Sequence, residues 1–208
     1  MKLTSPFIIT ISRQFGSGGA YIGQRLAKKL NIFYADREII CQAAKQLSVL
    51  EEDLEYRDEK ILSFWQLFLT SYAYSVPEVY MPPEIIAPTD RELFKAESEI
   101  IEHIAKERSA VIIGRCGSYI LREYPNHVSI FLHGGMTFRK NRIQSLYDVS
   151  EEVSAGMIIQ SDKERAHYYH MFTGEEWADA RHYDMSIDTS RAELDKSTEL
   201  IMKYLGKN

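Results

Sequence analysis

The chain has 208 residues, enough to bury roughly 70% of its unfolded surface around a single core. With 45% hydrophobic and 26% charged residues, its composition excludes disordered, collagen-like and mucin-like classes. A formal net charge of -5 argues against a long nucleic acid as partner, because domains that grip a phosphate backbone carry a basic excess.

The two cysteines, Cys41 and Cys116, sit in no CxxC or Cys/His array and read as free thiols of a reducing interior. The apolar run at 7–11 is too short for a signal-peptide core or a bilayer span, and no longer uninterrupted run follows. The expectation is a soluble, cytoplasmic protein with no membrane partner.

In chain order, Phe7, Ile8, Ile9 and Ile11 predict a buried strand, and residues 13–19 form a glycine-rich turn. Ile22, Leu26 and Leu30 then recur at helical spacing, Asn31 is a helix stop, and 32–34 make a second strand ending at Asp36. A helix is expected over about 37–57. Residues 64–88 are aromatic and apolar but carry Pro77, Pro82, Pro83 and Pro88, so no regular element runs through them. They read as an insertion, either packed on the core or serving as a lid, substrate insert or subunit contact.

Phe94, Ile101, Ile104 and Ala105 predict a helix over 90–107, leading into a strand at 110–113. Gly114 and Arg115 are expected to open another helix ending before Pro125, with a further strand at 128–132. Helices follow at about 137–146 and 151–169, the latter broken near Gln160, where Ser161 and Glu164 have capping-box spacing. Met185 and Ile187 mark a last strand, and Ser190 with Glu193 looks like a capping box opening the last helix. Strands alternating with helices imply a mostly parallel sheet covered on both faces.

Strand, glycine turn and helix in succession place free backbone N–H groups and a helix dipole where an anion can sit. Two phosphate loops compete for the segment. A dinucleotide fingerprint finds Gly16, Gly18 and an acid at Asp36, but has Tyr21 at the third glycine. A P-loop aligned on Gly18 has Arg13 at its first glycine, Gly19 at the lysine and Ala20 at the hydroxyl.

Four segments break the tie by their order and spacing: ITISRQFGSGG with IGQRLAKKL, FYADREII, VIIGRCGSYILREYPNHVSIFLHGGMTFRKNRI, and DKERAHYYHMFTGEEW with YDMSIDTSRAEL. Over nearly its full length the sequence resembles the cytidylate kinase-like family, a branch of the P-loop nucleoside monophosphate kinases. The resemblance implies an α/β fold: one domain over 1–208, a P-loop NTPase-like parallel sheet flanked by helices, with a lid at about 150–180 and a small aromatic insertion at about 60–90. It implies ATP and Mg²⁺, a nucleoside monophosphate or related acceptor, and nucleotides as partners; a homodimer is compatible with it.

By position, the resemblance assigns Gly16, Ser17, Gly18, Gly19 and Ala20 to the donor phosphates, and Asp188 and Thr189, with Ser190, to the loop near the donor base. Asp36, Arg37 and Arg115 fall to the acceptor. Arg139 and Arg142 match the basic pair after the sheet strand, and Asp162 with Arg165 match the lid's DxxR. Arginine suits these tasks because its planar fork binds phosphate oxygens bidentately and stays charged. For Asp162 and Arg165 the plainer alternative is a surface pair one turn apart, and for Asp36, Asp188 and Thr189 a cap or turn.

The sequence departs from the pattern in two places. Cys116 stands where the kinase motif GRD has its aspartate, and Gly19 with Ala20 remove a lysine and a metal-binding hydroxyl, a charge that Arg13 can replace. A weak or regulatory nucleotide-binding protein is therefore the second reading, and a nicotinamide-dependent oxidoreductase using Gly16, Gly18 and Asp36 the third. His167 and His170, beside Tyr168, Tyr169 and Trp177, lack a third metal ligand, and no GxSxG elbow is present. The charge is unevenly spread: residues 1–35 hold five basic residues and no acid, so the rest carries -10 of the total -5. An acidic chain can thus hold a locally basic cleft.

Overall fold

The computed structural model describes residues 6–36, Ile40, Ala44 and residues 90–206. The expected helix over 37–57, apart from Ile40 and Ala44, and the insertion at 64–88 lie outside the described residues, as do Arg37 and Cys41. The chain divides into two compact units, Met1–Arg37 with Glu102–Asn208, and Glu38–Ile101. In the second unit, Ile40 and Ala44 are buried and helical, and residues 90–101 are the first turns of a helix.

The first unit is built on a parallel sheet. Its strands are β1 (Ile8–Arg13), β2 (Phe33–Ala35), β3 (Ala110–Ile113), β4 (His127–His133) and β5 (Met185–Asp188), in the order β2-β3-β1-β4-β5. Helix α1 (Gly19–Leu30) follows β1, α2 (Asp90–Glu107) leads into β3, and the short α3 (Gly117–Ile120) follows it. Helices α4 (Met136–Tyr147) and α5 (Glu151–Thr173) lie between β4 and β5, which α6 (Thr189–Ala192) and α7 (Leu194–Tyr204) follow.

Consecutive residues of β1, β3 and β4 are buried, so side chains on both faces of the sheet are covered. That is why these strands read as unbroken apolar runs rather than alternating ones. In α1, Ile22, Leu26 and Ala27 turn inward while Lys28 and Lys29 sit in the last turn, at the negative end of the helix dipole. Gly23 lets α1 approach β3, since a Cβ there would lie 2.6 Å from Cδ1 of Ile113. Asn31, left-handed at φ 52°, ends the helix as expected.

Three expectations require correction. Helix α5 runs unbroken through Gln160; its cap is Ser150, whose side chain accepts from the Val153 N–H, so the Ser161 and Glu164 spacing is incidental. Ser190 does not open the last helix. Asp188 caps α6 by accepting from the Ser190 N–H, and Glu193, at φ 61°, separates α6 from α7. After β3 the helix begins only at Gly117, because Gly114, Arg115 and Cys116 are all left-handed.

The strand order also bears on the loop. A dinucleotide fold keeps β2 beside β1, so that an acid ending β2 reaches a ribose held at the first turn. Here β3 lies between them, and Asp36, just past β2, is displaced from the glycine turn by two strand spacings, about 10 Å. No helix of the described residues is long and apolar enough to cross a membrane.

Candidate functional site

The glycine turn is shaped by its own backbone. Ser17 is fully buried and its Oγ donates to the Gln14 carbonyl at 2.8 Å, while the Gln14 N–H donates to the Leu132 carbonyl at 2.9 Å. Gly16 and Gly18 have φ of 81° and 86°, where only glycine is unstrained. Gly18 is the N-cap of α1, no side chain caps the helix, and no acid occupies its first turn. The N–H groups of Gly19, Ala20 and Tyr21 therefore start a helix with no side-chain acceptor, the arrangement that favours an anion.

Helices α4 and α5 brace the turn from outside. Asp162 accepts the Phe15 N–H at 2.7 Å through Oδ1 and Arg139 Nη1 at 2.5 Å through Oδ2. Arg139 is buried and also donates to the Phe15 carbonyl at 3.3 Å. A Cβ on Gly16 would lie 3.0 Å from both Cβ and O of Arg139, so turn and helix are in close contact. Arg165 donates to the Arg13 carbonyl at 2.8 Å and its guanidinium lies 5.4 Å from the Phe15 ring centre.

Beside this turn lies a cavity of about 170 Å³. Ser12 and Arg13 line it from the end of β1, and Gly114, Arg115 and Cys116 from the residues after β3. Helix α5 contributes Ser161, Glu164, Arg165, Tyr168 and Tyr169, and Trp177 completes the wall. The Arg115 guanidinium sits 5.0 Å from the Tyr168 ring centre, a cation-π contact, and its backbone is left-handed at φ 52°. Burial pushes the Tyr169 phenol well above its ordinary range, so it stays protonated.

Of the residues singled out in the sequence, the structure brings Arg13, Arg115 and Arg165 to one cavity and packs Gly19 against the Arg13 stem, while Gly16, Ser17, Gly18 and Ala20 are not among the lining residues. Arg139 and Asp162 face the turn's backbone instead. Arg142 is not among the cavity's lining residues; its guanidinium lies 6.0 Å from the Tyr21 ring, whose hydroxyl donates to Asp195 at 2.8 Å. Asp188 is spent on the cap of α6, and the Ser190 hydrogen bonds hold its carboxyl below the usual range. Thr189 is fully buried and donates to the His133 carbonyl at 2.9 Å. Tyr168 and Trp177 also belong to the wall, though in the sequence they stand out only as neighbours of His167 and His170. The spacing of Tyr168 from Arg165, one helical turn, was the clue available.

A parallel sheet in this order flanked by helices, with a glycine turn opening α1 and arginines gathered at the carboxyl ends of β1 and β3, makes a P-loop NTPase-like fold. The solved structures agree. A shikimate kinase from Bacteroides thetaiotaomicron superposes with a TM-score of 0.50 at 14% identity, covering 96% of this chain and 98% of that one. A gluconokinase from Sinorhizobium meliloti 1021 gives 0.51 at 12% identity, over 99% and 96%. An uncharacterized protein from Eubacterium ventriosum ATCC 27560 gives 0.72 at 25% identity, over 97% and 99%.

The model of the cytidylate kinase-like family matches residues 8–191, and the chain belongs to that family. A cytidylate kinase from Saccharolobus islandicus (strain L.S.2.15 / Lassen #1) is 29% identical over 111 residues, 52% of this chain. The match spans 57% of that relative's length.

Proposed function

We propose that the chain is an ATP-dependent kinase that transfers the terminal phosphoryl group to a nucleoside monophosphate or a related small anionic acceptor. The observation that carries this reading is the convergence of Arg13, Arg115 and Arg165 on one cavity, with Arg13 shared between its wall and the start of α1. Phosphoryl transfer asks the protein chiefly to align two phosphates and offset their charge. In this reading the first-turn N–H groups of α1 hold the donor phosphates, Arg115 and Arg165 hold the acceptor, and Arg13 bridges the two. Tyr168 and Trp177 give the acceptor an apolar wall, and Cys116 leaves it without the acid that would read a base edge. By the family resemblance Asp188 and Thr189 serve the donor, Asp36 and Arg37 the acceptor, and Arg142, with Arg139, belongs to the catalytic basic pair. Residues 150–180, which include α5, act as the lid of a single catalytic domain.

A magnesium ion held by the protein does not fit the described residues. Ala20 offers no hydroxyl, the Ser17 Oγ is spent inside the turn, and no group of three or more His, Cys, Asp or Glu could hold a metal among those residues. In this reading magnesium arrives on the ATP phosphates, which supply most of its ligands.

Coupled ADP release with ATP, Mg²⁺ and a panel of monophosphates tests the proposal, with Arg13→Ala as control. Turnover on one acceptor, reduced on the order of a hundredfold in the control, is the expected result. Saturable ATP binding without turnover on any acceptor would leave the second reading, a regulatory nucleotide-binding protein, which Gly19 and Ala20 in place of lysine and hydroxyl favour. Failure to bind any nucleotide removes both.

A further inference from the structure

Gly19 is the first residue of α1, is buried, and is not among the glycines with positive φ. Nothing in its backbone conformation asks for glycine, which is the poorest helix former after proline. The demand comes from a side chain. A Cβ on Gly19 would stand 2.6 Å from Cγ and 2.9 Å from Cβ of Arg13, closer than such atoms approach. Farther along the same side chain, Nη1 of Arg13 lies 2.1 Å from where a Cβ on Gly114 would be. The stem of Arg13 thus runs over one glycine and its guanidinium over another, and both Arg13 and Gly114 line the cavity.

Resting on the phosphate-binding reading above, we infer that the cation of this loop has moved from position 19 to position 13, and that Gly19 is a positioning residue that keeps the path of the Arg13 stem open. Arg13 in this conformation and any side chain at position 19, including the lysine of a P-loop, exclude each other. The missing lysine is on this account one half of an exchange and not a decay of the site.

A double-mutant cycle tests this, with inorganic tripolyphosphate as the probe and calorimetric titration as the readout. Arg13→Gly, which removes both the cation and the Cβ that crowds position 19, is expected to weaken binding at least tenfold, as loss of a charge-assisted phosphate contact does. Gly19→Ala should weaken it about as much, with an unchanged circular dichroism spectrum. In the double variant Arg13→Gly/Gly19→Ala neither clashing atom of residue 13 remains, and binding should match Arg13→Gly within about twofold. If the single effects multiply, Gly19 acts by its own backbone approach to the anion and the inference falls. It also falls if either single variant binds like the wild type.

Should Gly19→Ala fail to fold, Arg13→Gly/Gly19→Lys takes its place. This exchange variant is expected to bind at least threefold more tightly than Arg13→Gly, and no gain overturns the inference. A wild-type chain that binds neither tripolyphosphate nor ATP overturns this inference and the kinase reading together, whereas binding with multiplicative effects overturns this one alone.

Discussion

Asp162 on α5 and Phe15 in the glycine turn, 147 positions apart, are joined by a 2.7 Å hydrogen bond from the Phe15 backbone N–H to the aspartate. The other carboxylate oxygen takes Arg139, so one side chain ties the turn to two helices. Asp162 and Arg165 are therefore not a surface pair: each reaches the backbone of the turn, at Phe15 and Arg13. Two hydrogen bonds thus tie α5 to the backbone of the turn.

Replacing Asp162 by Ala is expected to lower stability by about 3 kcal/mol, because Arg139, 7% exposed, loses its carboxylate and keeps its charge. Asp162→Asn should recover only part of this. Its amide oxygen can accept the Phe15 N–H, but its NH2 then faces the Arg139 donor. Urea denaturation at neutral pH measures both, and a loss under 1 kcal/mol for Asp162→Ala would count against the brace.

Two glycines should respond in opposite directions to alanine. Gly18 combines φ 86° with a Cβ position 2.4 Å from Cδ2 of Leu194, so Gly18→Ala should cost about 2 kcal/mol and shift α7. Gly156 lies inside α5 with nothing within 4 Å of its Cβ position, so Gly156→Ala should stabilise by about 0.5 to 1 kcal/mol. Equilibrium unfolding of the two variants side by side checks the pair.

Much of the fold was legible because its signals are local. The apolar run ending at Arg13, the glycines after it and the spacing of Ile22 and Leu26 all lie within one βαβ unit. Of the candidate site, the sequence pointed to Arg13 and Arg115 through their positions at the end of β1 and after β3, and to Arg165 through the family resemblance, and all three line the cavity. The brace was not legible, since no local pattern says that Asp162 will meet Phe15 across the length of the chain. The left-handed run at 114–116 was hidden for a different reason: Gly114 advertises such a backbone, but Arg115 and Cys116 adopt it against their intrinsic preference. The continuous α5 shows how a spacing rule fails. Ser161 and Glu164 satisfy the capping-box pattern, yet with a free cap at Ser150 nothing interrupts the helix, and Ser161 is used to line the cavity.

The strain at Arg115 offers a separate test of the acceptor side. Arg115→Gly should relieve the left-handed backbone and still remove the guanidinium from the Tyr168 face. Stability is expected to stay within about 1 kcal/mol of the wild type, because relieved strain offsets lost packing. The KM for the monophosphate should rise at least tenfold while the KM for ATP stays within about twofold. An equal rise in both would place Arg115 on the donor as well.

At the opposite end of the sheet, His127 sets how stability responds to acid. Its Nε2 lies 2.7 Å from the Thr10 hydroxyl, and burial drives its pKa down to about 4, against weaker opposing effects from Asp184 and the Leu121 backbone. The folded chain therefore binds fewer protons at this site than the unfolded chain, whose histidine titrates near 6.5. Its contribution is fully present above that value and is lost as pH falls toward 4, by at most 1.36 kcal/mol per pH unit and about 3 kcal/mol in all. His127→Gln, which retains a hydrogen-bonding amide and cannot take up the proton, should flatten that part of the curve. Urea midpoints of the two proteins at pH 7.5, 6.0 and 5.0 measure the difference. Parallel curves would mean that His127 does not titrate between its folded and unfolded values, and that acid sensitivity arises at the carboxylates.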